Sequence, residues 1–354
     1  MRCSIVPPYL LARLAHIEDP DLAHVAAAAQ AALAMDEPFR RARRGDPAPS
    51  GVVPATARSS ATIRRLEGPH RTIFDARGTE TLPGKEVRSE GQAPGDDQAV
   101  TEVYDSLGDT HTLYRDAYSR ASIDDNNLPL LATVHYGHAY DNAFWNGKQM
   151  VFGDGDGTIF RGFTSSPSVI GHELTHGVTQ YSANLRYEGQ SGAVNESISD
   201  VFGALVEQYA FGQTAAAASW LIGAGLFTDR VHGTALRSMK APGTAYDDPV
   251  LGKDPQPADM ANYVDTTDDN GGVHLNSGIP NHAFYLAAVA LGGNAWDRAG
   301  QIWYDTLTGG ALPADSDFAR FAAVTTDAAS ARYGDASAEQ RAVATAWQTV
   351  GVTT

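Results

Sequence analysis

Leucines and alanines recur at three-to-four spacing through YLLARLA and DLAHVAAAAQAALAM, which predicts helices across residues 7–44, broken and restarted at Asp19-Pro20-Asp21. The periodicity then stops. From Arg40 to Arg65 the run RRARRGDPAPSGVVPATARSSATIRR mixes Arg, Pro, Ala and Ser without a period and reads as a linker open to proteolysis. RTIFDA, from Arg71, predicts a short strand, and a helix is expected between Gln98 and Arg120. PLLATVHYG and KQMVFGDG read as strands around a turn at Asn146-Gly147. Beyond Pro167 alanine-rich, amphipathic stretches at 168–181, 194–211, 279–291 and 316–349 predict helices separated by Gly- and Asp-rich loops. The pattern is therefore α+β: a helical leader with its linker (1–68), a β-rich half (69–167) and a helical half (168–354).

Composition narrows the partners more than it alters the fold. A net charge of −16 repels phosphates and anionic lipid, so nucleic acid and membrane surfaces are excluded as partners in favour of small molecules or polypeptides. The charge is uneven: residues 1–68 hold nine Arg against seven acids, leaving an acidic body behind a slightly basic leader. With Cys3 as the one cysteine, no intrachain disulfide can form. Pro7-Pro8 and Arg13 interrupt the apolar run that a secretory signal needs, so the chain is expected in the cytoplasm or exported by another route.

The densest chemistry lies in GHELTHG, 171–177, where His172 and His176 stand four apart and share one helix face. Two imidazoles so placed can hold one zinc ion, and a catalytic zinc takes three protein ligands and keeps a fourth position for water. In GAVNESISD, 192–200, Glu196 fits as the third ligand. Metal-bound histidines donate their other ring N–H to a carboxylate or carbonyl, a task open to Asp200 for His172 and to Asn195 for His176.

HELTH with GAVNESISD, preceded by DNNLPLLATVHYGHAYDNAFWNGKQMVFGDGDG and followed by DNGGVHLNSG, resembles the thermolysin-like zinc metallopeptidases from about Arg71 to the C-terminus. The short leader with PPYLL is similar to that of the protealysin-type branch. The resemblance implies a two-domain body with zinc in the cleft between its halves, and a monomeric endopeptidase that cuts polypeptides on the amino side of bulky apolar residues. It makes Glu173 the base that takes the water's proton and passes it to the leaving amine, Tyr187 and His274 the donors to the developing oxyanion, and Asp269 the acid orienting His274. It gives Asn142 and Ala143 the main chain of an extended substrate, and Arg237 a peptide carbonyl. Phe160, Phe163, Val169 and Leu236 would line the pocket for the residue after the cut.

The resemblance also has a gap. Of five carboxylates that hold thermolysin's double calcium, only Glu207 has a counterpart; Ser168, Ser219, Leu221 and Ala224 fill the other positions, so that site is expected to be absent. Residues 1–68 read as a propeptide that docks on the body and blocks the cleft. Cys3 is either a small packing residue or a thiolate ligand for the metal's open position. An inert peptide-binding relative and a zinc exopeptidase are the rival readings, and the intact Glu173, Tyr187 and His274 argue against the first.

Overall fold

The computed structural model describes residues 3–43 and 68–353, with side chains at 4–36 and 68–353. The linker read between Arg40 and Arg65 thus lies almost wholly outside the described residues. So does the side chain of Cys3.

A six-stranded mixed sheet carries the first half. Its strands are β1 (Cys3–Ser4), β2 (Arg71–Asp75), β3 (Lys85–Ser89), β4 (Leu130–Val134), β5 (Ala143–Trp145) and β6 (Met150–Phe152), in the order β1-β5-β6-β4-β2-β3. β2, β4 and β6 run parallel to one another, whereas β3 pairs antiparallel with β2 and β5 pairs antiparallel with β6 across the predicted Asn146-Gly147 turn. The two-residue β1, contributed by the leader, pairs antiparallel with β5 and so covers the edge the sheet would otherwise present. Too short for any periodicity, it escapes a reading by pattern.

In the leader, α1 (Pro8–Ala15) opens on a proline at its first position, where the missing N–H is harmless, and buries Leu10, Leu11 and Leu14. α2 (Ala23–Arg43) follows the break at Asp19, whose side chain accepts the Asp21 N–H. α3 (Gln98–Tyr118) packs against β2 and β4 of the sheet and against the first two helices of the helical half. The helical half comprises α4 (Pro167–Gln180), α5 (Gly189–Phe211), the short α6 (Asp269–Asn276), α7 (Gly278–Leu291), α8 (Ala299–Thr308), α9 (Phe318–Tyr333) and α10 (Ala338–Thr349). The predicted 316–349 helix is two helices, because Gly334 and the Ser337 cap interrupt it.

α4 and α5 form the centre of the molecule, and every residue of α4 from Ser168 to Thr179 is buried. They cross at Gly171 and Gly203. A Cβ on Gly203 would sit 2.4 Å from the Ser168 carbonyl oxygen, and one on Gly171 would sit 3.1 Å from the Gly203 Cα. Only glycine permits that approach, which brings the next turns of the two helices, bearing His172 and Asp200, within hydrogen-bond reach. Among the described residues no helix is long and apolar enough to cross a membrane.

Candidate active site

His172, His176 and Glu196 are fully buried, and one ligand atom from each lies within 4.8 Å of the others. The donor set on α4 and α5 is built around its ring tautomers. His172 Nδ1 lies 2.7 Å from Asp200 Oδ1, an atom that can only accept, so Nδ1 carries the proton. His176 Nδ1 lies 2.9 Å from Asn195 Oδ1, whose amide is oriented by a bond from Nδ2 to the Leu185 carbonyl. Both Nε2 atoms therefore turn lone pairs toward one point, 3.0 Å apart and each 3.5 Å from a Glu196 oxygen. Glu196 Oε2 has no hydrogen-bond partner. Two imine nitrogens and a carboxylate converging on one point lack a proton to share, and that chemistry fits a zinc ion. Burial would raise the Glu196 carboxyl, but the charge of His274 above all, with that of the Arg237 guanidinium, holds the group below the ordinary carboxylate range.

The supporting shell goes beyond what spacing predicts. Asp200 also receives Arg237 in a two-pronged bond, Nε to Oδ2 at 2.9 Å and Nη2 to Oδ1 at 2.8 Å, and accepts from Asn281 Nδ2 at 2.8 Å. Burial pushes the Asp200 carboxyl up, yet Arg237 and His172 hold it well below the ordinary carboxylate range. Ser199 Oγ stands 3.0 Å from His176 Nδ1. Ser199 and Asn281 were not singled out in the sequence: one sits inside the NESISD run as an ordinary small helix residue, and the other is 81 positions from Asp200.

Glu173 is buried beside the donor set, its Oε2 accepting the Trp145 N–H at 2.9 Å. Tyr187 bonds Glu196 Oε1 through its hydroxyl and lies 3.3 Å from His274 Nε2. His274 is placed by backbone chemistry that DNGG readily supplies: Asp269, Asn270, Gly271 and Gly272 all take positive φ, between 52° and 84°. Asp and Asn tolerate that region better than most residues and glycine is free there, so the chain coils back and Asp269 reaches both the His274 N–H (2.9 Å) and Nδ1 (2.7 Å). Burial alone would lower the His274 imidazole; Asp269 and Glu196 together raise it.

Residues 4–6 of the leader run through this site as an extended chain. The Ser4 carbonyl oxygen accepts from His274 Nε2 at 3.2 Å, and the Ile5 N–H donates to the Ala143 carbonyl at 3.1 Å. Arg237 Nη1 donates to the Ile5 carbonyl at 3.0 Å, while the Val6 N–H donates to Asn142 Oδ1 at 2.9 Å. Asn142 Nδ2 in turn donates to Asp36 on α2 at 2.9 Å, and Tyr140 donates to the same carboxylate at 2.7 Å. Ile5 and Val6 are fully buried in the apolar cluster that also contains Phe160, Phe163, Val169 and Leu236. Phe160 packs 5.6 Å from Phe163 and 5.5 Å from Phe227, ring centre to ring centre.

Hydrogen bonds thus join Asn142, Ala143, Arg237 and His274 to residues 4–6 of the leader, with Cys3 alongside Trp145 through its backbone in β1, while Phe160, Phe163, Val169 and Leu236 lie in the buried core. At the calcium positions, Glu207 is hydrogen-bonded by Ser168 and Ser219; burial raises its carboxyl and those hydroxyls offset part of the rise.

Two family models cover most of the chain: the catalytic domain of thermolysin metallopeptidases matches residues 55–180, and their alpha-helical domain matches 183–352. The chain is 50% identical over 350 residues to an extracellular metalloprotease of Pectobacterium carotovorum subsp. carotovorum, covering 99% of this chain and 96% of that one. It is 40% identical to a thermolysin of Bacillus sp. (strain EA1) over 79% of this chain and 50% of that one. The precursor of protealysin, a metalloproteinase from Serratia proteamaculans, superposes with a TM-score of 0.87 at 50% identity, over 99% of this chain and 100% of that structure. The convergent His172, His176 and Glu196 and the two domain matches lead to one conclusion: this chain belongs to the thermolysin-like metallopeptidases, as a zinc-dependent neutral endopeptidase made in precursor form.

Proposed function

We propose that the body hydrolyses peptide bonds on the amino side of bulky apolar residues, and that residues 1–68 act as its intramolecular inhibitor. The observation that carries this reading is the register of Ser4, Ile5 and Val6: an extended chain meets Asn142, Ala143, Arg237 and His274, the residues assigned to a substrate's main chain. A segment bonded at each of those points excludes any other peptide from them. Main-chain recognition along β5 is blind to sequence, so selectivity falls to the pocket of Phe160, Phe163, Val169 and Leu236.

Zinc held by His172, His176 and Glu196 would activate water and polarise the carbonyl to be attacked. The chain's own groups do the rest. Glu173 takes the water's proton and hands it to the leaving nitrogen, and its buried setting beside the Trp145 N–H fixes the direction of its carboxylate. His274 and Tyr187 donate to the oxyanion, with Asp269 steadying the imidazole through Nδ1. Asp200 and Asn195 keep both metal-facing nitrogens deprotonated.

Glu207 with its two serine hydroxyls supplies one charge where thermolysin's double calcium needs several, so the body is stabilised without it. The chain acts as a monomer outside the cell, a reading supported by the name of its Pectobacterium relative, an extracellular metalloprotease. Casein zymography of a preparation freed of residues 1–68 should give clearing that a chelator abolishes and that Glu173→Ala lowers by at least a hundredfold. Clearing that persists in Glu173→Ala would sink the assigned mechanism.

A further inference from the structure

An inhibitor that merely plugs a protease can lie across the cleft in any direction, and reversed polarity would put its peptide bonds out of reach of the attacking groups. Residues 4–6 do not lie that way. The Ser4 carbonyl points at His274 Nε2, which is itself 3.6 Å from Glu196 and 3.3 Å from the Tyr187 hydroxyl. On the other side of the same peptide bond, the Ile5 nitrogen is pinned by Ala143, on the strand whose Trp145 N–H holds Glu173. One residue further on, Arg237 grips the Ile5 carbonyl and Asn142 the Val6 amide. The Ser4–Ile5 bond therefore has His274 donating to its carbonyl, and its nitrogen is bonded to the strand that holds Glu173.

We infer that Ser4–Ile5 is itself a substrate bond, cut within the precursor by its own active site. This inference rests on the proposed peptidase reading and extends it to a bond of this chain. Water adds across the bond: its oxygen joins the Ser4 carbonyl carbon, the C–N bond breaks, and Ile5 leaves as an ammonium while the segment ending at Ser4 departs as a carboxylate. The cut does not free the cleft. Ile5 and Val6 remain held by Arg237 and Asn142, and the rest of the leader stays anchored by the buried Leu10, Leu11 and Leu14 of α1, by Arg13 donating to the Val250 carbonyl at 2.8 Å, and by Asp36 on Asn142. A product so retained blocks the site as the uncut chain did. The trimming is a silent first cut, separate from the later loss of the leader, and it would discard Cys3 with its thiol while latency persists.

The zinc-loaded full chain is incubated and followed by intact mass and N-terminal sequencing, with Glu173→Ala as control. The expected result is a species that begins at Ile5 and is otherwise whole, formed at a rate unchanged by tenfold dilution, and absent from Glu173→Ala. A preparation in which the leader has separated from the body while Ser4 is still joined to Ile5 overturns the inference. Casein cleavage by that same preparation keeps the two readings apart: clearing with an intact Ser4–Ile5 bond defeats only the trimming, whereas no clearing after removal of residues 1–68 defeats the peptidase reading. A measurement without turnover tests the seat of the bond. In the Glu173→Ala precursor, Ile5→Asp should lower the unfolding temperature by several degrees and Ser4→Ala should leave it nearly unchanged; no drop with Ile5→Asp overturns the placement.

Discussion

Asp200 and Asp141 are both completely buried, yet they behave as opposite kinds of acid. Asp200 meets Arg237, His172 and Asn281 and is held ionised, well below the ordinary range. Asp141 sits between Tyr140 and Asn142, accepts the Asp156 N–H at 2.7 Å, and has its other oxygen unpartnered with the Asp156 carboxylate nearby. Burial, and after it that like charge, push its carboxyl up to about 8. Depth alone thus decides nothing about charge. What decides it is whether the fold delivers cations or only another acid.

The comparison breaks most visibly at Asp200. Asp200→Ala strands the Arg237 guanidinium in the interior and frees His172, so chemical denaturation should register a loss of about 3–5 kcal/mol, accompanied by release of zinc. Because the folded carboxyl lies below its unfolded value, the stability it contributes is intact above about pH 4 and is lost as the pH falls further. Asp141 should respond in the reverse sense. Its folded value lies above the unfolded one, so the folded state keeps a proton that the unfolded chain gives up, and stability should decline between about pH 4 and 8. Asp141→Asn can still accept the Asp156 N–H and should flatten that decline by roughly 2–3 kcal/mol, below the ceiling of about 1.4 kcal/mol per pH unit because the loop relaxes. Urea melts of both proteins across that range measure it; parallel slopes would mean the raised carboxyl is not protonated at neutral pH.

His135 is the mildest test of the same rule. It lies between two acids, Nδ1 2.8 Å from Asp154 and Nε2 2.9 Å from Asp97, and the first of these bonds leads in raising it to about 9. A histidine raised in the fold stabilises it below the unfolded value, near 6.5, and that contribution fades as the pH climbs through 9. All three side chains are partly open to solvent, so His135→Gln should cost under about 1 kcal/mol at pH 6 and nothing near pH 10.

The metal site was the most legible part of the sequence because its chemistry is written in helical spacing: His172 and His176 one turn apart, then Glu196 and Asp200 one turn apart. The second half of the fold followed for the same reason, apart from α6 and α8, which were not read in advance, and the split between α9 and α10. DNGG read by itself as an ordinary turn; that its run of positive φ aims His274 depends on torsions that only the folded chain displays. The path of the leader was hidden for another reason. Ser4, Ile5 and Val6 bind through main-chain atoms, which every residue possesses, and Asp36 acts on Asn142 from 106 positions away. PPYLL marked the leader through its resemblance, and the pairing of β1 with β5 was not written in it.

Arg237 carries an obligation on each side of its guanidinium: two nitrogens are committed to Asp200, behind His172, and the third to the Ile5 carbonyl of the leader. Ligand capture and metal retention are therefore mechanically coupled through a single planar group. Anyone redesigning this enzyme for new sequences would find position 237 closed to variation, since each gain in ligand contact would be drawn from the ion's support. In the proposed pocket, Leu236 and Phe163 make no bond to Asp200 and are where new specificities would be sought without loosening the zinc.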